Sequence, residues 1–249
     1  MVYTPESGTN LPGVAFAHDW LTPAHSYVGT LEHLASWGIV AAAPDTEKGL
    51  APSALNLAFD LGTTLDIISG VRLGPGQISV HPNKLGVAGH GFGGSAAVFA
   101  AAGAPARVKA VGALFPSSTS PRAEEAAAGL AARGLILTAP GDPMTLRSNA
   151  VELARVWNAG TLRLVSGGKA GGLVEGRRLA RAVGLPGADK STQKIVRALL
   201  TGFLLAELAG NKDYEDFADP EALLPKTELG DPSEDPVDLE NKVVSLLKP

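Results

Sequence analysis

The segment Leu85-Gly86-Val87-Ala88-Gly89-His90-Gly91-Phe92-Gly93-Gly94 decides the fold. A short apolar run at residues 85–88 leads into a cluster of glycines, and an alanine-rich stretch follows at residues 93–102. Glycine permits positive φ angles and close approach of two backbones. We therefore predict a buried strand that runs into a closely packed helix through a tight turn.

The same alternation of short apolar runs and longer helical stretches continues along the chain, which is typical of βαβ units. Together they predict an α/β fold, a doubly wound and mostly parallel sheet flanked by helices, with a shortened N-terminal edge before Val14. The predicted strands are residues 14–17, 39–43, 85–88, 108–115, 135–138 and 161–165. The predicted helices are residues 27–37, 55–70, 93–102, 123–132, 146–158 and 192–208.

Composition separates the chain of 249 residues into a domain at residues 1–210 and a tail at residues 211–249. The tail holds 11 acidic and 4 basic residues, a net charge of −7, whereas the whole chain carries −4. Residues 1–210 therefore carry +3, and several proline residues interrupt any long helix in the tail. We expect the tail to dock on the domain, partly through electrostatic attraction.

Several classes of function are excluded or disfavoured by composition. The chain has no cysteine, which excludes disulfides, thiolate nucleophiles and cysteine-ligated metals. We expect no metal site, no cofactor, and no nucleic-acid partner, because no basic cluster is present. The apolar segment 195–210 contains Arg197 and Glu207 and is too short for a membrane span. Without a signal-like start the expected location is cytoplasmic by default, with secretion left open.

The glycine turn is consistent with two kinds of site. A dinucleotide-binding turn follows the first strand and precedes an acidic residue by about 20 positions. Here the turn follows the third predicted strand, and the corresponding region reads Lys109-Ala110-Val111, so this interpretation is disfavoured. The other interpretation is the G-x-S-x-G elbow, a strained turn that lifts a nucleophilic serine above a sheet. Gly91 stands where that motif has serine.

From about residue 2 to residue 220 the chain resembles the dienelactone-hydrolase-like branch of the α/β-hydrolase fold, which includes chlorophyllase-like, acetylhydrolase-like and polyester-hydrolase proteins. The resemblance is carried by the order and spacing of four segments. These are Pro12-Gly13-Val14-Ala15-Phe16-Ala17-His18, Leu34-Ala35-Ser36-Trp37-Gly38-Ile39-Val40, the elbow, and Phe203-Leu204-Leu205-Ala206-Glu207-Leu208-Ala209-Gly210-Asn211-Lys212.

The resemblance implies three positions for a catalytic triad, and the residues at these positions do not form an intact triad. The nucleophile position is Gly91, and the acid position is Asp142 on the loop after the fifth predicted strand. The loop that carries the family's histidine contains Lys169 instead. All five histidines, at positions 18, 25, 33, 81 and 90, precede Asp142, so the order nucleophile, acid, histidine cannot be met.

The resemblance also implies a ligand pocket lined by Asp19, Trp20, His90 and Phe92. The backbone N–H groups of Trp20 and Phe92 correspond to the oxyanion-hole donors of the fold. Asp19 replaces the family's usual glycine, and its carboxylate either points inward, where it repels an oxyanion, or points outward and caps its own loop. We interpret His90 and His18 as packing residues rather than metal ligands.

We therefore expect a catalytically inactive hydrolase-like protein, a pseudoenzyme. Its residual cleft above Gly91 would hold a small apolar or ester-like ligand or a protein partner. Two alternatives are kept: a hydrolase with non-triad chemistry, in which Asp142 and a histidine or Lys169 activate water, and an interaction protein that acts through the acidic tail.

Overall fold

A computed structural model of the protein describes residues 1–139, 148–176 and 187–233. Eight strands form one sheet in the order β1-β3-β2-β4-β5-β6-β7-β8. The strands are β1 (Val2–Tyr3), β2 (Gly8–Ala17), β3 (Val40–Ala42), β4 (Ile78–His90), β5 (Val108–Leu114), β6 (Arg133–Thr138), β7 (Gly160–Val165) and β8 (Thr227–Leu229).

The sheet is parallel except at its two edges. Strands β3, β2, β4, β5, β6 and β7 pair in parallel, whereas β1 pairs antiparallel with β3 and β8 pairs antiparallel with β7. The helices are α1 (Val28–Ser36), α2 (Ala54–Gly70), α3 (Phe92–Gly103), α4 (Ala123–Ala127), α5 (Ala150–Val156) and α6 (Lys190–Ala209). This mostly parallel, doubly wound α/β sheet confirms the predicted fold class and is compatible with an α/β-hydrolase-like fold.

Two apolar layers enclose the sheet, one on each face, and successive side chains of β2 point alternately into the two layers. Ala15 and Ala17 belong to the layer that contains the buried faces of α2, α3, α4 and α5. Val14 and Phe16 point the other way, into the layer of α1 and α6. Because successive side chains of a strand face opposite sides, a strand covered by helices on both sides is apolar throughout. The elbow follows the carboxyl end of β4, next to the carboxyl end of its neighbour β2.

The structure corrects several predicted boundaries. Strand β4 begins at Ile78, seven positions before the predicted start, and β2 begins at Gly8. The early parts of these strands pair with each other across register shifts between Gly8 and Gly13. Polar residues and Pro82 interrupt these parts, so they lack the continuous apolar run on which the predicted boundaries were based. The predicted helix at residues 123–132 ends at Ala127.

Residues 211–233, the described part of the predicted tail, lie against the domain. A 3-10 segment, Lys212–Phe217, follows α6 and places Phe217 against it, and β8 extends the sheet beside β7. Within the part of the chain that the structure describes, no helix combines the length and apolar character needed to cross a bilayer.

Candidate functional site

The turn between β4 and α3 has the geometry of a strand-to-helix elbow. Strand β4 ends at His90 and α3 begins at Phe92, so Gly91 alone connects them. Gly91 has φ 55° and ψ −118°, a backbone region that disfavours residues with side chains. Its N–H donates to the Leu114 carbonyl at 3.0 Å, and its carbonyl accepts from the Ser117 N–H at 3.1 Å. These bonds to β5 and to the segment after it fix the turn.

The first turn of α3 lies directly against the end of β2. A Cβ atom at Gly93 would overlap the carbonyl oxygens of Ala17 and His18, so only glycine permits this approach. The close contact brings the loop after β2, which begins at Asp19, to the elbow. Enzymes of the α/β-hydrolase fold use this kind of juxtaposition to build an oxyanion hole from two backbone donors.

The Asp19 carboxylate occupies both of these donors. Its Oδ1 accepts a hydrogen bond from the Phe92 N–H at 2.9 Å and one from the Trp20 N–H at 2.8 Å. Backbone N–H groups that converge on one point favour an anion there, and charge-assisted bonds of this length are strong. The N–H groups of Phe92 and Trp20 therefore converge on one point, and the atom at that point is Asp19 Oδ1 of the protein itself.

Asp19 also fills the space above Gly91. A Cβ atom built on Gly91 would overlap Asp19 Oδ1 and the carboxyl carbon. A serine at position 91 and the observed Asp19 conformation are therefore mutually exclusive without a shift. The predicted ligand cleft above Gly91 would open only if this carboxylate moved.

His90 is buried beneath the elbow and links three segments. Its Nε2 lies 2.9 Å from the Ala170 carbonyl, which only accepts, so Nε2 carries the proton. With a neutral ring, Nδ1 accepts from the Tyr27 hydroxyl at 2.8 Å. The Tyr27 oxygen in turn accepts from the Asp19 N–H at 3.1 Å. His90 and Tyr27 thus hold the backbone of Asp19 in place, and the ring of His90 is engaged in this support.

His18 fixes the other side of the same loop. Its ring is fully buried, with Nδ1 at 2.9 Å from the Asp19 carbonyl and Nε2 at 2.7 Å from the Thr46 carbonyl. Asp45 also holds the loop after β2, because its Oδ1 accepts a hydrogen bond from the Ala24 N–H at 3.0 Å. Burial raises the pKa of Asp45, but hydrogen bonds from Lys48 and Ala24 and the positive charge of Lys48 outweigh it and lower that pKa.

The remaining predicted site residues are distributed as follows. Trp20 is 40% exposed and donates from Nε1 to the Leu50 carbonyl at 3.3 Å, whereas Phe92 is half-buried at the start of α3. Lys169 lies on the predicted loop after β7 with an exposed side chain. Within the described residues no hydrogen bond or ion pair joins its ammonium group to the elbow. Asp142 lies outside the described residues.

A hollow of about 410 Å³ lies beside the loop after β2 rather than above Gly91. It is lined by Leu21, Thr22, Pro23, His25, Ser26, Glu175 and Gly176. In residues 1–139, 148–176 and 187–233, no group of three or more His, Asp or Glu side chains is arranged to hold a metal ion. Because Asp19 already occupies both backbone donors, the described site leaves mainly the exposed apolar surface of Trp20 and Leu21.

Sequence reasoning missed Tyr27, the residue that connects His90 to Asp19. Nothing in the local sequence marks it, since it lies nine residues after His18 in a 3-10 segment with no recognisable motif. Asp19, in contrast, carried a signal: a carboxylate beside one oxyanion donor, in a chain whose nucleophile position has no side chain.

No protein-family model matches this chain, and no curated protein matches its sequence.

Proposed function

We propose that this protein is a catalytically inactive member of the α/β-hydrolase fold that binds a small apolar or ester-like ligand at the former active-site mouth. The observation that carries the proposal is the Asp19 carboxylate, which accepts hydrogen bonds from both Phe92 and Trp20. Ester hydrolysis on this fold places a developing oxyanion at that point. A resident carboxylate blocks the position and repels a second negative charge.

Two further observations support inactivity. No hydroxyl is present at position 91. The two histidines next to the elbow, His90 and His18, are buried, and their rings are bonded to Tyr27 and to backbone carbonyls. Loss of the nucleophile or the base of a triad typically lowers kcat by about 10⁶. Loss of one oxyanion donor lowers it by about 10²–10³. This elbow has lost the nucleophile, and its donors are already occupied.

We assign the protein to the dienelactone-hydrolase-like branch on the segments that carry the resemblance. Residues 12–17 form the buried half of β2, with His18 directly after it, and residues 34–40 lead from α1 into β3. Residues 203–209 end α6, and residues 210–212 follow it. These segments lie on β2, between α1 and β3, and at the end of α6, and the assignment rests on their order and spacing in the sequence.

The proposed binding surface is an apolar patch at the mouth, formed by Trp20, Leu21 and Leu50. Their side chains are 40%, 47% and 81% exposed, and the indole of Trp20 is bonded to the backbone of Leu50. Clustered exposed apolar side chains of this kind mark binding sites more often than single ones do. With Asp19 beneath them, they favour a ligand that rests on the mouth.

Inactivity is tested with short-chain nitrophenyl esters and a fluorophosphonate probe, with an active serine hydrolase assayed in parallel. We expect neither turnover above background nor labelling for the wild type, for Gly91→Ser, or for Gly91→Ser combined with Asp19→Gly. The double variant restores space and donors but no histidine. Stoichiometric labelling of any serine in the wild type would contradict the proposal.

Binding is tested by titrating ethyl butyrate into the protein and following the indole N–H signals of its three tryptophans by NMR. The Trp20 signal is expected to shift, whereas buried Trp157 and distant Trp37 serve as internal controls. Leu21→Ala should weaken the effect, and Phe59→Ala, which removes an exposed aromatic ring on α2, should not. A titration that leaves Trp20 unchanged would rule out this ligand surface.

A further inference from the structure

A second hollow, whose lining contains none of the elbow residues, lies between α1 and the first turns of α6. It measures about 330 Å³ and is lined by His33, Lys190, Gln193, Lys194 and Arg197. That volume falls at the lower end of the range for small-molecule sites. Every lining side chain carries a nitrogen donor, and none is a carboxylate.

The positive side chains are placed by the periodicity of α6. Lys190 and Lys194 are four residues apart and share one face of the helix, and Arg197 follows one turn later. Within the described residues neither lysine donates a hydrogen bond or forms an ion pair. Two like charges held on one face repel each other, so the pair is stabilised by any anion that bridges it.

Two carboxylates next to the hollow, those of Glu175 and Asp189, are already engaged, and exposed Glu32 on α1 is not part of its lining. Glu175 Oε1 accepts from the Arg197 guanidinium at 2.7 Å, and its Oε2 accepts from the Gly29 N–H at 2.8 Å. Asp189 Oδ2 accepts from the N–H and hydroxyl of Thr192 at 2.8 and 2.7 Å. Glu175 compensates the charge of Arg197, and no carboxylate among the lining residues pairs with the two lysines.

We propose that this hollow, the α1–α6 basic pocket, binds a phosphate-type anion with at least two negative charges. A dianion offsets both lysine charges, and its several oxygens match the donors of the lysines, Gln193 and the guanidinium edge. A neutral ligand would leave the two ammonium groups uncompensated. The free pyrophosphate ion and the phosphomonoester headgroup of a lipid share this chemistry.

His33 supplies a reporter inside the pocket. Partial burial, and then the positive charge of Arg197, lower the pKa of its imidazole. A dianion beside the ring adds the opposite charge and favours the imidazolium. Binding in this pocket therefore raises the pKa of His33, whereas binding elsewhere on the surface does not.

The experiment is a pH titration of the histidine ring signals by NMR, with and without millimolar pyrophosphate, in which His33→Gln assigns the signal. We expect the His33 titration to move to higher pH with pyrophosphate. In the variant Lys190→Ala/Lys194→Ala the pyrophosphate affinity should fall by at least about tenfold, since each charge-assisted contact contributes on that scale. Lys109→Ala, which removes an exposed lysine at β5, is the matched control and should bind normally.

A vesicle arm separates the two sources of the anion. Co-sedimentation with phosphatidylcholine vesicles that contain phosphatidate, lost in the double lysine variant, would assign the pocket to a lipid headgroup. A response to pyrophosphate without vesicle binding would assign it to a soluble phosphate compound. An unchanged His33 titration without lysine-dependent vesicle binding would overturn the proposal. An equal response in the wild type and the double lysine variant would also overturn it.

Discussion

The absence of a side chain at Gly91 and the position of the Asp19 carboxylate depend on each other. The Asp19 carboxylate reaches the Phe92 N–H because no Cβ atom stands at Gly91. The Tyr27 hydroxyl, supported by His90, in turn fixes the Asp19 backbone. The absence of a side chain at position 91 thus leaves the space that the carboxylate fills, and the filled space disfavours a serine at that position.

This dependence predicts a measurable coupling between the two positions. Gly91→Ala should lower the free energy of unfolding by about 1–3 kcal/mol, because the backbone angles disfavour a side chain and its Cβ overlaps Asp19. In the Asp19→Ala background the same change should cost less, with a coupling of about 1 kcal/mol. Urea denaturation of the four proteins measures both quantities.

The control for this cycle is Gly62→Ala on α2, where an added Cβ meets no atom within 4 Å. That substitution should be neutral or stabilise by about 0.5–1 kcal/mol, because alanine suits a helix interior better than glycine. Additive effects at Gly91 and Asp19 would show that the carboxylate does not lie above Gly91 in solution.

The sequence identified the residues of the elbow but not the orientation of Asp19. It left two orientations open, one inward and one capping the loop, and the structure combines them: the carboxylate points at the elbow and also bonds to Trp20 within its own loop. Which orientation prevails depends on the distance between β2 and α3, which Gly93 sets through a contact distant in sequence. The local sequence around Asp19 does not determine this distance between β2 and α3.

At the scale of elements, α1 begins without a capping residue of its own. Its N-cap is Tyr27, whose side chain makes no capping bond and is directed to His90 instead. Glu175 replaces the missing cap from 146 positions away: its carboxylate accepts from the Gly29 N–H at 2.8 Å and the Thr30 N–H at 3.2 Å. The chain after β7 therefore determines where α1 starts.

Glu175→Ala is consequently expected to lower the free energy of unfolding by about 2–3 kcal/mol. The change removes a helix cap and leaves the half-buried Arg197 without its carboxylate partner. Chemical denaturation measures the loss. Glu32→Ala is the matched control, since Glu32 lies exposed on α1 and makes no hydrogen bond or ion pair among the described residues. Equal effects of the two substitutions would contradict the capping role.

Apolar periodicity located the six central strands and the helices because both depend on short stretches of sequence. It missed β1 and β8, the two antiparallel edges, which are only two and three residues long. Residues 227–229 read Thr-Glu-Leu and carry no strand signal of their own. Their conformation comes from the exposed edge of β7, which offers unpaired backbone groups to any segment that reaches it.

At the scale of the whole molecule, arginine side chains hold the described part of the tail by its backbone. Arg163, 1% exposed on β7, donates to the carbonyls of Ala222 at 2.8 Å and Asp219 at 2.7 Å. Arg133 donates to the Ala218 carbonyl at 2.9 Å. Burial lowers the pKa of Arg163, and the Asp219 carboxylate opposes that effect. The contacts are thus partly buried and directed at carbonyls more than at acidic side chains.

Arg163→Met should release the segment around β8 while preserving the side-chain volume in the domain. Loss of two charge-assisted bonds, partly offset by relief of guanidinium desolvation, should weaken docking by about 1–3 kcal/mol. Tryptic cleavage after Lys226 should then accelerate by about 5–150-fold, since cleavage follows the population of the open segment. Arg107→Met, which removes an exposed ion pair with Asp66, is the control and should leave the rate unchanged.

The same assay separates this arrangement from docking by net charge. The acidic tail and the positive domain predict cleavage that accelerates strongly as salt screens their attraction over a Debye length of about 8–10 Å. Buried guanidinium-to-carbonyl bonds and the β7–β8 ladder are screened far less. We therefore expect the wild-type rate, normalised to a peptide substrate, to change little between low and high salt. A rise at high salt as large as the effect of Arg163→Met would show that long-range charge, and not these contacts, holds the tail.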